Sequence, residues 1–168
     1  MQSKIDKLTN ELFISIAKNV NSQVMCTPCG MLKKLIKKLA NEDLLTFENR
    51  EDNALSIACG RQIAGINNQL VIMQNSGFLQ SINVISSLVL PANFTARLII
   101  TMRGHGYDYT QENLNAPELT ITALEAASIP FIWLDPVEVE KSIDWLLEPQ
   151  NEQPRALLIS PDLFQGEY

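Results

Sequence analysis

What constrains this chain most is an alternation. Mostly apolar runs of four to six residues recur along it, separated by longer stretches with helical spacing. The apolar runs fall at residues 24–27, 44–48, 69–73, 97–102, 131–134 and 156–160. Before the first of them, residues 4–18 place Ile5, Leu8, Leu12 and Ile16 on one helical face. Residues 31–40 put Leu32, Leu35, Ile36 and Leu39 on one side and Lys33, Lys34, Lys37 and Lys38 on the other, the pattern of a helix with a solvated lysine face. From Glu51 a run rich in small residues (Ala54, Ser56, Ala58, Cys59, Gly60, Ala64, Gly65) reads as a helix packed closely on its neighbours. Residues 78–90, a segment opened by Pro117 and ending near 128, and another opened by Pro136 and running to Leu147 complete the helical set. Strands that are apolar throughout are buried on both faces, and strands alternating with helices join through crossovers. The spacing therefore predicts an α/β fold, a three-layer α/β/α sandwich around a central six-stranded, mainly parallel sheet. Residues 1–168 form one domain by length. In such sheets ligands bind beyond the carboxyl ends of the strands. That directs attention to the segments 27–30, 49–52, 74–77 and 103–116, expected as loops.

Charge removes several functions. The formal net charge is −6, against the basic surface that nucleic acid or an anionic membrane requires. No apolar run approaches the ~20 residues of a membrane span. The opening Met1-Gln-Ser-Lys-Ile-Asp-Lys lacks the apolar core of a signal peptide. Three cysteines make no self-contained disulfide framework, so a reducing, cytoplasmic setting is expected. A single histidine, His105, excludes a His-rich metal site, and no metal ligands are expected on this chain.

Several motifs invite chemistry. Cys26-Thr-Pro-Cys29, at a strand end before a helix, is where a dithiol redox site would sit; two buried thiols around a turn is the plainer reading. Gly104-His-Gly106 lacks a third glycine and the helix that a dinucleotide fingerprint opens. Asn75-Ser-Gly77 is half of a nucleophile elbow, with Gln74 where the first glycine belongs. Glu51 is more informative, because it stands where the second strand hands over to a helix. A carboxylate there is either a favourable partner for the helix dipole or a group held in an apolar crevice to exchange a proton with a ring nitrogen.

The strings Glu51-Asp-Asn-Ala-Leu-Ser-Ile-Ala-Cys-Gly60, Met73-Gln-Asn-Ser-Gly77, Ile82-Asn83, Ser87-Leu88 and Met102-Arg-Gly104 carry a family resemblance. Together they resemble the pyrimidine-binding domain of thiamine-diphosphate-dependent decarboxylases, and in particular the alpha subunit of sulfopyruvate decarboxylase and the matching half of phosphonopyruvate decarboxylase. Thr27-Pro-Cys29 followed by Leu32-Lys33 and Leu35-Ile36 is similar to that family's first loop and helix. The likeness covers roughly residues 24–135.

The resemblance implies that Glu51 hydrogen-bonds N1′ of the cofactor's aminopyrimidine and favours the imino tautomer, whose nitrogen removes the thiazolium C2 proton. Gln74, Asn75, Ser76 and Gly77 would line the cofactor crevice beside Glu51. Pro28, Cys29, Asn75, Arg103 and His105 would stand at the substrate, a small anionic 2-oxo acid such as sulfopyruvate or phosphonopyruvate. Three positions depart from the family pattern. Phe78-Leu79-Gln80 replaces a Leu-Gly-Asn, Gly30 replaces a serine, and the loop after Arg103 has no second histidine. The superfamily holds the cofactor's diphosphate and Mg2+ with a Gly-Asp-Gly motif on a separate domain, and no Gly-Asp-Gly occurs here. The implied protein is thus one half of a split decarboxylase, inactive alone and completed by a diphosphate-binding beta subunit in a hetero-oligomer with dimeric pairing. Two other expectations stand beside it: a catalytically retired binding or regulatory subunit, and a CxxC redox protein.

Overall fold

Six strands, all parallel, form one sheet in the order β2-β1-β3-β4-β6-β5. The computed structural model describes residues 3–20, 22–67, 69–148 and 153–164. The strands are β1 (Val24–Cys26), β2 (Leu45–Phe47), β3 (Leu70–Gln74), β4 (Arg97–Thr101), β5 (Phe131–Trp133) and β6 (Arg155–Ile159). The helices are α1 (Lys4–Asn19), α2 (Lys33–Asn41), α3 (Glu51–Ile63), α4 (Asn75–Gln80), α5 (Ile82–Val84), α6 (Ala116–Ala126) and α7 (Val139–Leu147). No helix among the described residues is long and apolar enough to cross a membrane.

The inner strands β1, β3, β4 and β6 are buried on both faces because successive side chains point to opposite sides and both sides meet helices, while the edge strands β2 and β5 are only partly covered. Val24, Cys26, Leu70, Ile72, Ile99, Leu157 and Ile159 face α1, α2 and α7. Met25, Val71, Met73, Leu98, Ile100, Ala156 and Leu158 face α3, α4, α5 and α6. These are the three layers that the apolar runs imply. The lysine face of α2 lies outward, with Lys34 paired to Asp6 of α1 at 2.8 Å and Lys38 above the ring of Phe13.

Three boundaries differ from the sequence expectation. Residues 74–77 are no loop: β3 runs through Gln74 and α4 begins at Asn75. The helix expected over 78–90 is interrupted at Ser81, whose hydroxyl donates to the Gly77 carbonyl at 2.8 Å, and it widens into a π turn at Ile85–Val89. There Ser87 donates back to the Asn83 carbonyl, so hydroxyls supply bonds that a regular helix takes from its own backbone. Finally, α7 starts at Val139, three residues after Pro136, because the Asp135 carboxylate accepts from the Val137 N–H at 2.8 Å and holds a turn there.

The chain runs outward from β1 to β2 on one side and from β3 to β4 on the other. The strand order therefore reverses between neighbours β1 and β3, the place beyond whose carboxyl ends ligands bind in open α/β sheets. Thr27, Glu51 and Asn75–Gly77 all issue from that end of the sheet.

Candidate functional site

Glu51 is the first residue of α3, and its neighbour Asp52 does the ordinary work of an acidic residue at a helix start. Asp52 accepts from the Asn53 N–H at 2.9 Å and takes a two-point ion pair from Arg50, at 3.0 Å to Nε and 2.8 Å to Nη2. Glu51 turns away from its own helix. Its Oε1 accepts a hydrogen bond from the buried hydroxyl of Thr27 at 3.0 Å, across the end of β1. The rest of the carboxyl lies on Gly77: a Cβ at that position would stand 2.1 Å from Glu51 Cγ, 2.2 Å from Cδ and 2.5 Å from Oε1. Glycine is needed here for room, since any side chain would evict the carboxylate.

Gln74, half-buried, ends β3 opposite Thr101. Asn75 is fully buried; its Nδ2 donates to the Arg103 carbonyl at 2.7 Å and its Oδ1 accepts from the Ser76 N–H. It thereby pins the head of α4 to the segment after β4. Ser76 is exposed beside it. The structure thus brings Glu51, Thr27 and Gly77 into contact, with Gln74, Asn75 and Ser76 on the adjoining strand end.

The substrate-end expectations are spread more widely. Pro28 is exposed in the β1 loop, whereas Cys29 is buried in the core beneath α1, α2 and α7, its thiol 3.5 Å from Thr101 Oγ1. Arg103 pairs through Nε with Asp108 at 2.5 Å, and the same carboxylate accepts from the Gly104 N–H and from Thr110. Burial acts to raise the Asp108 pKa, but the bonds from Arg103, Thr110 and Gly104 outweigh it and hold the carboxyl well below the usual range. His105 leans away from the β1–β3 crevice, toward the far edge of the sheet. Its Nδ1 is 3.2 Å from Ser160 Oγ and its ring lies 4.6 Å from that of Trp133. Gly106, at φ +62°, lies against the Asp162 carboxylate, which also accepts from the Tyr107 N–H at 2.9 Å.

The cysteine motif lacks the chemistry of a redox site. Cys26 is fully buried, and burial above all, with Cys29 and the Glu51 charge adding to it, pushes its thiol up to about 12. Exchange needs a thiolate at ambient pH, which a catalytic CxxC obtains by lowering the pKa. All three cysteines are free and buried.

Two participants lie in segments that the sequence points to without singling them out: Thr27, a common residue in a loop, and Asp108, one carboxylate in a polar stretch. The signal for Thr27 is its place, one residue past the carboxyl end of a switch-point strand and just before a proline. Nothing local marks Asp108.

An all-parallel, doubly wound sheet with a carboxylate seated at its switch point defines an α/β ligand-binding fold whose candidate centre is Glu51. Three curated proteins, each named sulfopyruvate decarboxylase subunit alpha, are similar to this chain. The protein of Methanocaldococcus jannaschii is 38% identical over 52% of this chain and 53% of its own length. Those of Methanothermobacter thermautotrophicus and Methanococcus maripaludis are 24% and 29% identical, over 81% and 64% of this chain and 84% and 65% of their own lengths. The resemblance to that alpha subunit is thereby borne out, and the chain matches about half the length of the first of these relatives. No protein-family model matches the chain.

Proposed function

We propose that this chain is the pyrimidine-binding alpha subunit of a split thiamine-diphosphate-dependent 2-oxo-acid decarboxylase acting on a small anionic substrate such as sulfopyruvate or phosphonopyruvate. The observation that carries the reading is Glu51. It is a carboxylate at the strand-switch crevice, turned from its own helix and seated on Gly77, with Asp52 serving the helix start.

The residues present fit the aminopyrimidine end of that cofactor. Glu51 would face the ring's N1′ and hold or return a proton there; Gly77 leaves the Glu51 side chain room to take that place, and Gln74 and Ser76 stand on the adjoining strand end. When bound, the cofactor supplies the nucleophilic carbon and the electron sink for loss of carbon dioxide. Asn75 acts through the backbone, fixing α4 against the Arg103 carbonyl, and Arg103 stands beside it with its charge already paired to Asp108, so a sulfonate or phosphonate would have to share that guanidinium. The diphosphate and Mg2+ are assigned to a separate beta subunit, in a hetero-oligomer in the cytoplasm.

The test is reconstitution. The chain mixed with a thiamine-fold subunit carrying Gly-Asp-Gly should release carbon dioxide from sulfopyruvate or phosphonopyruvate, and neither subunit should do so alone. Glu51→Gln should lower kcat by about a hundredfold or more, the usual reach of positioned acid–base catalysis. Normal turnover in that variant ends the assignment. A retired, regulatory subunit is the second reading, favoured by the engagement of His105 with Ser160 and Trp133. It predicts complex formation without cofactor-dependent turnover.

A further inference from the structure

We infer that Thr27 is a positioning residue that divides the two oxygens of the Glu51 carboxylate, anchoring Oε1 and leaving Oε2 as the oxygen that meets a ligand. This rests on reading Glu51 as the group that exchanges a proton with the bound pyrimidine, and it adds how that group is aimed.

The seat has two walls. Thr27 Oγ1 donates to Oε1 at 3.0 Å, and Oε1 is also the carboxylate oxygen nearest to where a Cβ on Gly77 would stand. Both contacts fall on the same oxygen. No described residue hydrogen-bonds Oε2, which leaves it available to a partner from outside the chain. A carboxylate free to rotate would offer either oxygen, and each arriving ligand would have to select one. A hydroxyl bonded to an ionised acceptor is stronger than a neutral pair and fixes the choice beforehand.

Thr27 is itself held. Its N–H donates to the Ile72 carbonyl at 3.4 Å, prolonging the β1–β3 ladder one residue past the strand. Pro28 behind it keeps its backbone extended, and the β-branch leaves χ1 few choices. Threonine at 4% exposure is withdrawn from solvent, and its hydroxyl's bond is to Glu51. A residue present only to fill space would be valine, which has the same shape without the donor.

The experiment compares Thr27→Val, Thr27→Ser and Glu51→Gln in the reconstituted complex, with Thr27→Ala replacing the valine variant if that fails to fold. The first readout is deuterium exchange of the C2 hydrogen of bound thiamine diphosphate, which reports proton handling without decarboxylation. The second is the position of Glu51 in a crystal structure of the full chain without cofactor. Loss of one charge-assisted hydrogen bond should slow exchange and kcat by about tenfold or more in Thr27→Val, with KM changed less than about twofold. Thr27→Ser should come back to within about threefold of the parent, and Glu51 should leave its seat in the valine variant only. Exchange at the parental rate in Thr27→Val, or a serine variant as slow as the valine one, overturns the inference. Parental exchange in Glu51→Gln is the separate result that overturns the underlying reading.

Discussion

At the scale of single residues, the contact between Gly77 and Glu51 makes the sharpest prediction. Gly77 lies inside α4, where alanine is the better helix former by about 1 kcal/mol. Its φ is not in the left-handed region, so the backbone would accept a side chain. The Glu51 side chain, with Cγ 2.1 Å and the carboxyl carbon 2.2 Å from the position of the new Cβ, stands in the way. Gly77→Ala should therefore lower kcat of the reconstituted complex by about a hundredfold, while the gain in helix propensity offsets part of the roughly 1–3 kcal/mol lost by orphaning the Thr27 hydroxyl. Calorimetry of the chain beside steady-state kinetics separates the two effects, and full activity in this variant would show that the seat is dispensable. Glu51 was legible in the sequence as a carboxylate at a strand-to-helix junction. What it does there was open, because a helix-start carboxylate and a seated one have the same spacing. Asp52 resolves the ambiguity geometrically, by pairing with Arg50 and the Asn53 N–H at the helix start, and no pattern in the sequence says which of two adjacent acids does so.

Among the elements, the strands were the most legible, since wholly buried parallel strands read as apolar runs and little else does. The junctions were not. Asn75-Ser76-Gly77 has the composition of a turn, yet it opens a helix: the Asn75 amide nitrogen donates to the Arg103 carbonyl while its oxygen accepts from the Ser76 N–H at the head of α4. The segment 103–116 read as a polar loop, and its internal order comes from one buried carboxylate. Asp108, at 7% exposure, ties Arg103, Gly104 and Thr110 together, and Asp162 clasps the same loop at Gly106 and Tyr107. Because the folded state holds the Asp108 pKa below its unfolded value, its contribution is present above about pH 4 and is lost as pH falls through the depressed folded value. Asp108→Asn should cost about 2 kcal/mol at pH 7, as befits losing charge-assisted bonds in a buried place. The gap from the parent should narrow as pH drops from 5 toward 3. Denaturant melts across that range provide the check, and a gap independent of pH would mean that Asp108 is not ionised in the fold.

At the scale of the whole molecule, exposed apolar side chains are scattered over the surface, and several of them stand at the carboxyl end of the sheet. Phe47 closes β2 at 54% exposure, and Tyr109 and Leu114, in the loop after β4, stand at 80% and 48%. They border the end of the sheet that holds the Glu51 crevice, and aromatic and aliphatic side chains in such positions are the usual anchors of a protein interface. A single chain can display these residues without saying what covers them, and the sequence points to a second half only by having no Gly-Asp-Gly. On the proposed reading the beta subunit packs over this rim and closes the crevice. Tyr109→Asp and Leu114→Asp should each then weaken association by about tenfold or more, because an interface anchor contributes over about 1 kcal/mol and a buried carboxylate adds a desolvation penalty. Neither change touches the core, so melting of the isolated chain should shift by less than about 0.5 kcal/mol. Ile63, 73% exposed at the end of α3 and so at the opposite end of the sheet, is the control, and Ile63→Asp should leave association unaltered. Association that survives both rim substitutions but falls with Ile63→Asp would move the partner to the other end of the sheet, away from Glu51, and with it the proposal that the crevice is completed by a second chain.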